Sequence, residues 1–175
     1  MRQKRILLFT GNGKGKSTAA FGMLARALGH GMRARVIQFV KSEDTVGEQL
    51  FFTSCEGVVW NHYGRGFLPR DPADPAMAEH CRAAEEGLQQ AIAALGSSEY
   101  DFVLLDEVCF ALSRKLFSGA ALFDALRTVP TGKIVVMTGR DAPDALVDVA
   151  DTVSEMRMVK HAFEKGIPAC EGVEY

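Results

Sequence analysis

Hydrophobic and β-branched residues gather in six short runs, at residues 5–10, 34–40, 57–61, 101–106, 133–138 and 152–157, and each run predicts a strand. Between them, Ala-rich stretches at 17–29, 75–96, 119–128 and 142–150 predict helices. This alternation of strand and helix predicts an α/β architecture, a mostly parallel sheet covered by helices on both faces. Val103-Leu104-Leu105 and Ile134-Val135-Val136 are continuously apolar, as central strands buried on both sides require. In such a sheet the carboxyl ends of the strands are where a site forms. The polar, Gly/Pro-rich segments Lys41 to Glu56 and His62 to Pro75 lack regular periodicity and are expected to be loops facing substrate. Lys160 to Tyr175 also lacks strong periodicity and is expected to wrap over the core.

The turn after the first strand carries chemistry. Thr10-Gly11-Asn12-Gly13-Lys14-Gly15-Lys16-Ser17-Thr18 joins the apolar run Ile6-Leu7-Leu8-Phe9 to the first helix. That is the setting of a phosphate-binding loop. Small residues let successive backbone N–H groups curl around phosphate oxygens, while a lysine and the helix N-terminus add positive charge. Thr10 stands where the pattern has its first glycine; Gly11 and Gly13 can supply the backbone freedom, and Lys14 is a second cation that a generic loop does not need. The ligand expected across residues 11–18 is a nucleoside triphosphate.

Phe102-Val103-Leu104-Leu105-Asp106-Glu107 is an apolar strand ending in two carboxylates, the Walker B form. Such a pair brings negative charge to a magnesium ion, with the Ser17 hydroxyl as its natural partner. Either Asp106 or Glu107 could touch the metal. Val136-Met137-Thr138-Gly139-Arg140 ends another central strand, and Arg140 should point to the same sheet end. There it would neutralise phosphate, hold an acidic neighbour, or make a surface salt bridge.

Composition removes other classes. The chain has 175 residues, 47% of them hydrophobic, which suits one compact domain over residues 1–175. A net charge of -2 offers no basic field for nucleic acid, and no apolar run is long enough to span a bilayer. Met1 to Arg5 lead directly into a strand instead of a cleavable signal, so a cytoplasmic protein is expected. Cys55, Cys81, Cys109 and Cys170 form no Cys-x-x-Cys pair, and His30, His62, His80 and His161 form no helical metal pair. Reduced thiols, several of them buried, and structural histidines are expected.

The residues from Thr10 to Gly22 resemble the corrinoid adenosyltransferases of cobalamin biosynthesis and salvage. Similar blocks follow in order at Ala25 to Gly31, Val36 to Lys41, Leu105 to Glu107, Thr138 to Arg140, Ala150 to Arg157, Val159 to Phe163 and Gly172 to Tyr175. The resemblance implies a three-layer P-loop NTPase (RecA-like) fold, a homodimer, magnesium or manganese, and an electron donor that reduces cobalt. It implies transfer of the 5′-deoxyadenosyl group of ATP to reduced corrinoid cobalt with release of inorganic triphosphate, the nucleotide lying in reverse across the loop. Its rival is an NTPase or kinase that cleaves the β–γ bond.

Reduced cobalt is itself the nucleophile and carries no proton, so no general base is expected. Lys16 and Lys14, with Arg140, are the candidate catalytic cations for the departing triphosphate. In the family a Gly-Phe loop and a following tryptophan pack near the corrinoid. Here Gly66-Phe67-Leu68-Pro69 keeps the phenylalanine, with proline at the tryptophan position, and Trp60 falls too early. Phe67 is either a corrinoid contact or an aromatic that anchors its loop. The family often has a polar helical arm before the first strand, whereas five residues precede Ile6 here, so weaker closure over corrinoid is expected.

Overall fold

A computed structural model describes residues 3–40, 46–69, 71 and 73–174. Its strands are β1 (Arg5–Thr10), β2 (Ala34–Val40), β3 (Val58–Gly64), β4 (Phe102–Asp106), β5 (Ile134–Thr138) and β6 (Thr152–Glu155). They form one sheet in the order β3-β2-β4-β5-β1-β6, every pair parallel. The helices are α1 (Lys16–Gly29), α2 (Gly47–Phe52), α3 (Met77–Gly96), α4 (Val108–Ser113), α5 (Ala120–Arg127) and α6 (Asp144–Val149), with a 3-10 turn at Ala162–Lys165.

The period-two alternation of the strands divides the core between two faces. Leu104 and Val136 point to one side and pack with Ala20, Phe21, Leu24 and Ala27 of α1. Val103, Leu105, Val135 and Met137 point to the other, against Leu88, Ala91 and Leu95 of α3 and Leu122 and Leu126 of α5. Both faces are therefore covered, which is why the central runs are apolar without interruption. This is the three-layer α/β arrangement expected of a P-loop NTPase-like fold.

Some boundaries differ from the sequence pattern. β3 continues beyond Asn61 through His62 and Tyr63 to Gly64, into the segment expected to be a loop, because its pairing with β2 runs on to Val40. Partner geometry outweighs the polar composition there. Helices α2 and α4 are six residues each, too short for helical periodicity to declare itself. α2 falls in the segment read as a loop from Lys41 to Glu56, and residues 41–45 of that segment lie outside the described residues. The chain after Lys160 does not pack onto the core; its described residues are largely exposed.

Trp60 donates its indole N–H to Gln38 Oε1 at 3.2 Å and stacks on Phe21 of α1, with ring centroids 5.2 Å apart. Phe52 of α2 closes the same aromatic group, 5.9 Å from Phe21. Phe21 thus ties the helix behind the phosphate loop to the second helix and to the sheet. Phe21→Ala should cost about 3–5 kcal/mol in urea unfolding. Because the chain has one tryptophan, its emission should shift to the red as that contact is lost.

Candidate active site

The strand order brings the loop after β1 and the carboxylates after β4 to the same edge, with β5 between them. Gly11 and Gly15 adopt left-handed backbone angles, φ 96° and 111°, which glycine takes without the penalty a Cβ would bring. Gly11 and Gly13 have a further reason to be small. A Cβ would stand 2.5 Å from the Met156 carbonyl oxygen at Gly11, and 2.7 Å from it at Gly13, where the Arg157 backbone is also 2.8 Å away. The Gly13 N–H donates to Met156 O at 2.6 Å and the Met156 N–H donates to Thr10 O at 2.8 Å. The chain leaving β6 therefore clamps the loop.

No side chain caps α1 at Gly15, so the N–H groups of its first turn and its dipole are suited to an anion. Lys16 is buried and donates to Gly13 O at 2.8 Å. Burial holds its pKa below the ordinary lysine value. Glu107 opposes that shift, Arg140 adds to it, and Asp106 opposes it. Arg140 is exposed, yet it shares an electrostatic environment with the loop lysine. Lys14 places Nζ 3.5 Å from Glu174 Oε1. Ser17, Thr18, Glu48 and Glu107 border the same pocket, while Asn12 is exposed on the loop.

The two carboxylates are held in different ways. Asp106 is fully buried; Oδ1 accepts from the Thr138 hydroxyl at 2.7 Å and Oδ2 from Gln38 Nε2 at 2.9 Å. Glu107 has a left-handed backbone, φ 60°, and its N–H donates to Thr138 Oγ1 at 2.9 Å. It faces the phosphate pocket. Among the described residues no group of three or more His, Cys, Asp or Glu could hold a metal. Ser17 and Glu107 nevertheless both offer hard oxygen donors to that pocket, a chemistry suited to a magnesium ion that nucleotide phosphates help to ligate.

Gln38 and Thr138 join the residues that the sequence motifs point to. A signal existed for Gln38: a polar side chain inside Val36-Ile37-Gln38-Phe39-Val40 must find a partner if the strand is buried. Glu174 lies in the Gly172 to Tyr175 block, but only the fold brings it to Lys14. Of the cysteines, Cys109 alone is fully buried, and burial pushes its thiol up to about 12, so it offers no thiolate nucleophile.

Phe67 is fully exposed and anchors nothing; Leu68 beside it packs on the core instead. With Met77, Phe110 and Arg114 these residues border a cleft of about 790 Å³. Arg114 sits 5.1 Å above the Phe110 ring. Trp60 belongs to the α1 side of the sheet and does not reach this cleft.

Sheet topology, glycine loop, buried lysine and carboxylate pair define a nucleotide-binding protein of the P-loop class. The profile of the family ATP:corrinoid adenosyltransferase BtuR/CobO/CobP matches residues 2–175. The chain is 40% identical over 177 residues to a corrinoid adenosyltransferase of Pseudomonas aeruginosa, covering 97% of this chain and 83% of that one. It is 38% identical over 170 residues to corrinoid adenosyltransferases of Escherichia coli K12 and Salmonella typhimurium, covering 97% of this chain and 85% of each relative. The chain belongs to the ATP:corrinoid adenosyltransferase family. It is a transferase that moves an adenosyl group from ATP to a corrinoid, and the kinase or NTPase alternative is not favoured.

Gly13→Ala should cost about 1–3 kcal/mol of stability, because backbone at residues 156–157 must give way; thermal unfolding and ATP titration together would register both the loss and the displaced loop. Burial of Lys16 also has a pH signature. Its folded pKa lies below the usual 10.5, so the unfolded chain keeps the proton over a window beneath that value where the folded chain has lost it. Without nucleotide, the wild type should gain stability relative to Lys16→Met as pH rises through that window, read as the difference between their melting temperatures.

Proposed function

We propose that the loop at residues 11–18 cradles the triphosphate of ATP as a leaving group, while the exposed Phe67 cleft receives the corrinoid. The observation that carries this reading is the convergence of Lys16, the uncapped start of α1, Ser17 and Glu107 on one pocket. As cobalt attacks C5′, negative charge grows on the α-phosphate oxygen, and Lys16, Lys14 and the loop N–H groups are placed to stabilise it. Arg140 adds positive charge at the same edge. No general base is needed, because reduced cobalt carries no proton to remove. In-line placement of cobalt and C5′ supplies further acceleration through orientation.

A bound magnesium or manganese ion, held on the protein side by Ser17 and Glu107, would lend charge to the triphosphate oxygens. The buried Asp106, hydrogen-bonded through both oxygens, supports the reading that Glu107 is the metal-side carboxylate. Family resemblance supports a nucleotide reversed across the loop, a homodimer and a separate electron donor. The nearly complete exposure of Val159 and Phe163 is consistent with an apolar partner surface. Among the described residues no helix is long and apolar enough to cross a membrane, and the proposed location is the cytoplasm. One domain over residues 1–175 carries the whole activity in this reading.

Anaerobic incubation with ATP, magnesium and a reduced corrinoid should yield inorganic triphosphate and a light-sensitive alkylcobalt spectrum. ADP or orthophosphate without the spectral change would refute it. Lys16→Ala should lower turnover by about 10²-fold or more, with corrinoid affinity little altered; an equal loss of corrinoid affinity would contradict the assignment of Lys16 to the leaving group.

A further inference from the structure

Four side chains from four adjacent strands form an unbroken hydrogen-bonded row at the site edge. Trp60 of β3 donates to Gln38 of β2, Gln38 donates to Asp106 of β4, and Thr138 of β5 donates to the other Asp106 oxygen. Gln38 and Asp106 are register partners. A threonine hydroxyl has one proton to donate, and that of Thr138 goes to Asp106. Its lone pairs are then left to receive the Glu107 N–H. Glu107 sits in the left-handed region that a non-glycine residue occupies at a cost. The Thr138 contact helps to hold it there.

We infer that Thr138 is a positioning residue for the transfer reaction: it couples the buried Asp106 to the backbone of Glu107 and so sets where the Glu107 carboxylate meets the metal-bound triphosphate. This rests on the reading of Glu107 as the metal-side carboxylate. Thr138→Val keeps the shape while removing both hydrogen bonds, and Thr138→Ser keeps the hydroxyl. The magnesium concentration for half-maximal activity at saturating ATP should rise roughly tenfold in Thr138→Val and stay within about twofold in Thr138→Ser. Binding of ATP without magnesium, and Trp60 emission, should match the wild type in both. Glu107→Gln separates the two readings. An unchanged magnesium requirement in Glu107→Gln would sink the metal assignment. A raised requirement there with a wild-type value in Thr138→Val would overturn the positioning role, as would loss of metal-free ATP binding in Thr138→Val or failure of Thr138→Ser to restore the requirement.

The carboxyl end of the chain makes an independent contact with the loop. A turn at residues 170–174, closed by Val173 N–H and Glu174 N–H donating to Cys170 O, brings Glu174 to the pocket. There Oε1 faces Lys14 and Oε2 accepts from the Cys170 N–H at 2.9 Å. That hydrogen bond, then Lys14, hold its carboxyl below the usual range against the opposing effect of desolvation. Glu48 and Glu107 border the same pocket. A triphosphate entering it meets a carboxylate already paired with one of its cations.

We propose that Glu174 is a built-in competitor for the phosphate end of the loop, displaced from Lys14 when triphosphate binds and returning to Lys14 as triphosphate departs. This rests on the reading of the loop as a triphosphate site. Glu174→Gln removes the charge yet retains an acceptor for the Cys170 N–H. It should bind inorganic triphosphate roughly three- to tenfold more tightly than the wild type by calorimetry, with slower release in stopped flow. The difference should shrink as salt rises. Equal or weaker binding by Glu174→Gln would overturn the competitor role, whereas a wild type that binds no triphosphate would overturn the loop assignment itself.

Discussion

A carboxylate with no exposure to water, Asp106, is the constraint around which the functional edge is arranged. A carboxyl group removed from solvent must find hydrogen bonds, and Gln38 and Thr138 supply them from the strands on either side. Gln38 engages Trp60, which in turn stacks on the helix behind the phosphate loop. The demand of one buried polar group thus reaches across four strands. It also separates the settings of two neighbouring acids, since Asp106 is enclosed in the sheet and Glu107 turns out towards the pocket.

The loop itself is held from the opposite side. Gly11 and Gly13 let the backbone after β6 approach within hydrogen-bonding distance, so the anion cradle is braced by a segment more than a hundred residues away in sequence. Lys16 is kept partly dehydrated within this brace, where its charge acts with less screening than it would in open water. Rigid donors and a buried cation suit the stabilisation of a leaving triphosphate, because little reorganisation is needed as charge develops.

Much of the fold was legible because the relevant signals are local. The apolar runs of β1, β2, β4 and β5 and the long amphipathic α3 lie close to their predicted bounds, each having enough residues for its period to show. Helices α2 and α4 escaped notice because six residues hold less than two turns. The extension of β3 to Gly64 was invisible for another reason: its cause is the neighbouring strand, not its own composition.

The sequence by itself determined the class of ligand and the family, since a Gly-rich loop between strand and helix, a strand ending in Asp106-Glu107 and ordered blocks along the chain are all linear patterns. Tertiary structure alone decided the setting each of those residues takes. The burial of Asp106, the outward turn of Glu107, the use of Gly11 and Gly13 as contact surfaces and the meeting of Lys14 with Glu174 all depend on strand order and on chain segments far apart in sequence. Residue identity specifies what a group can donate, accept or carry. Desolvation and pairing depend on what the fold sets beside it.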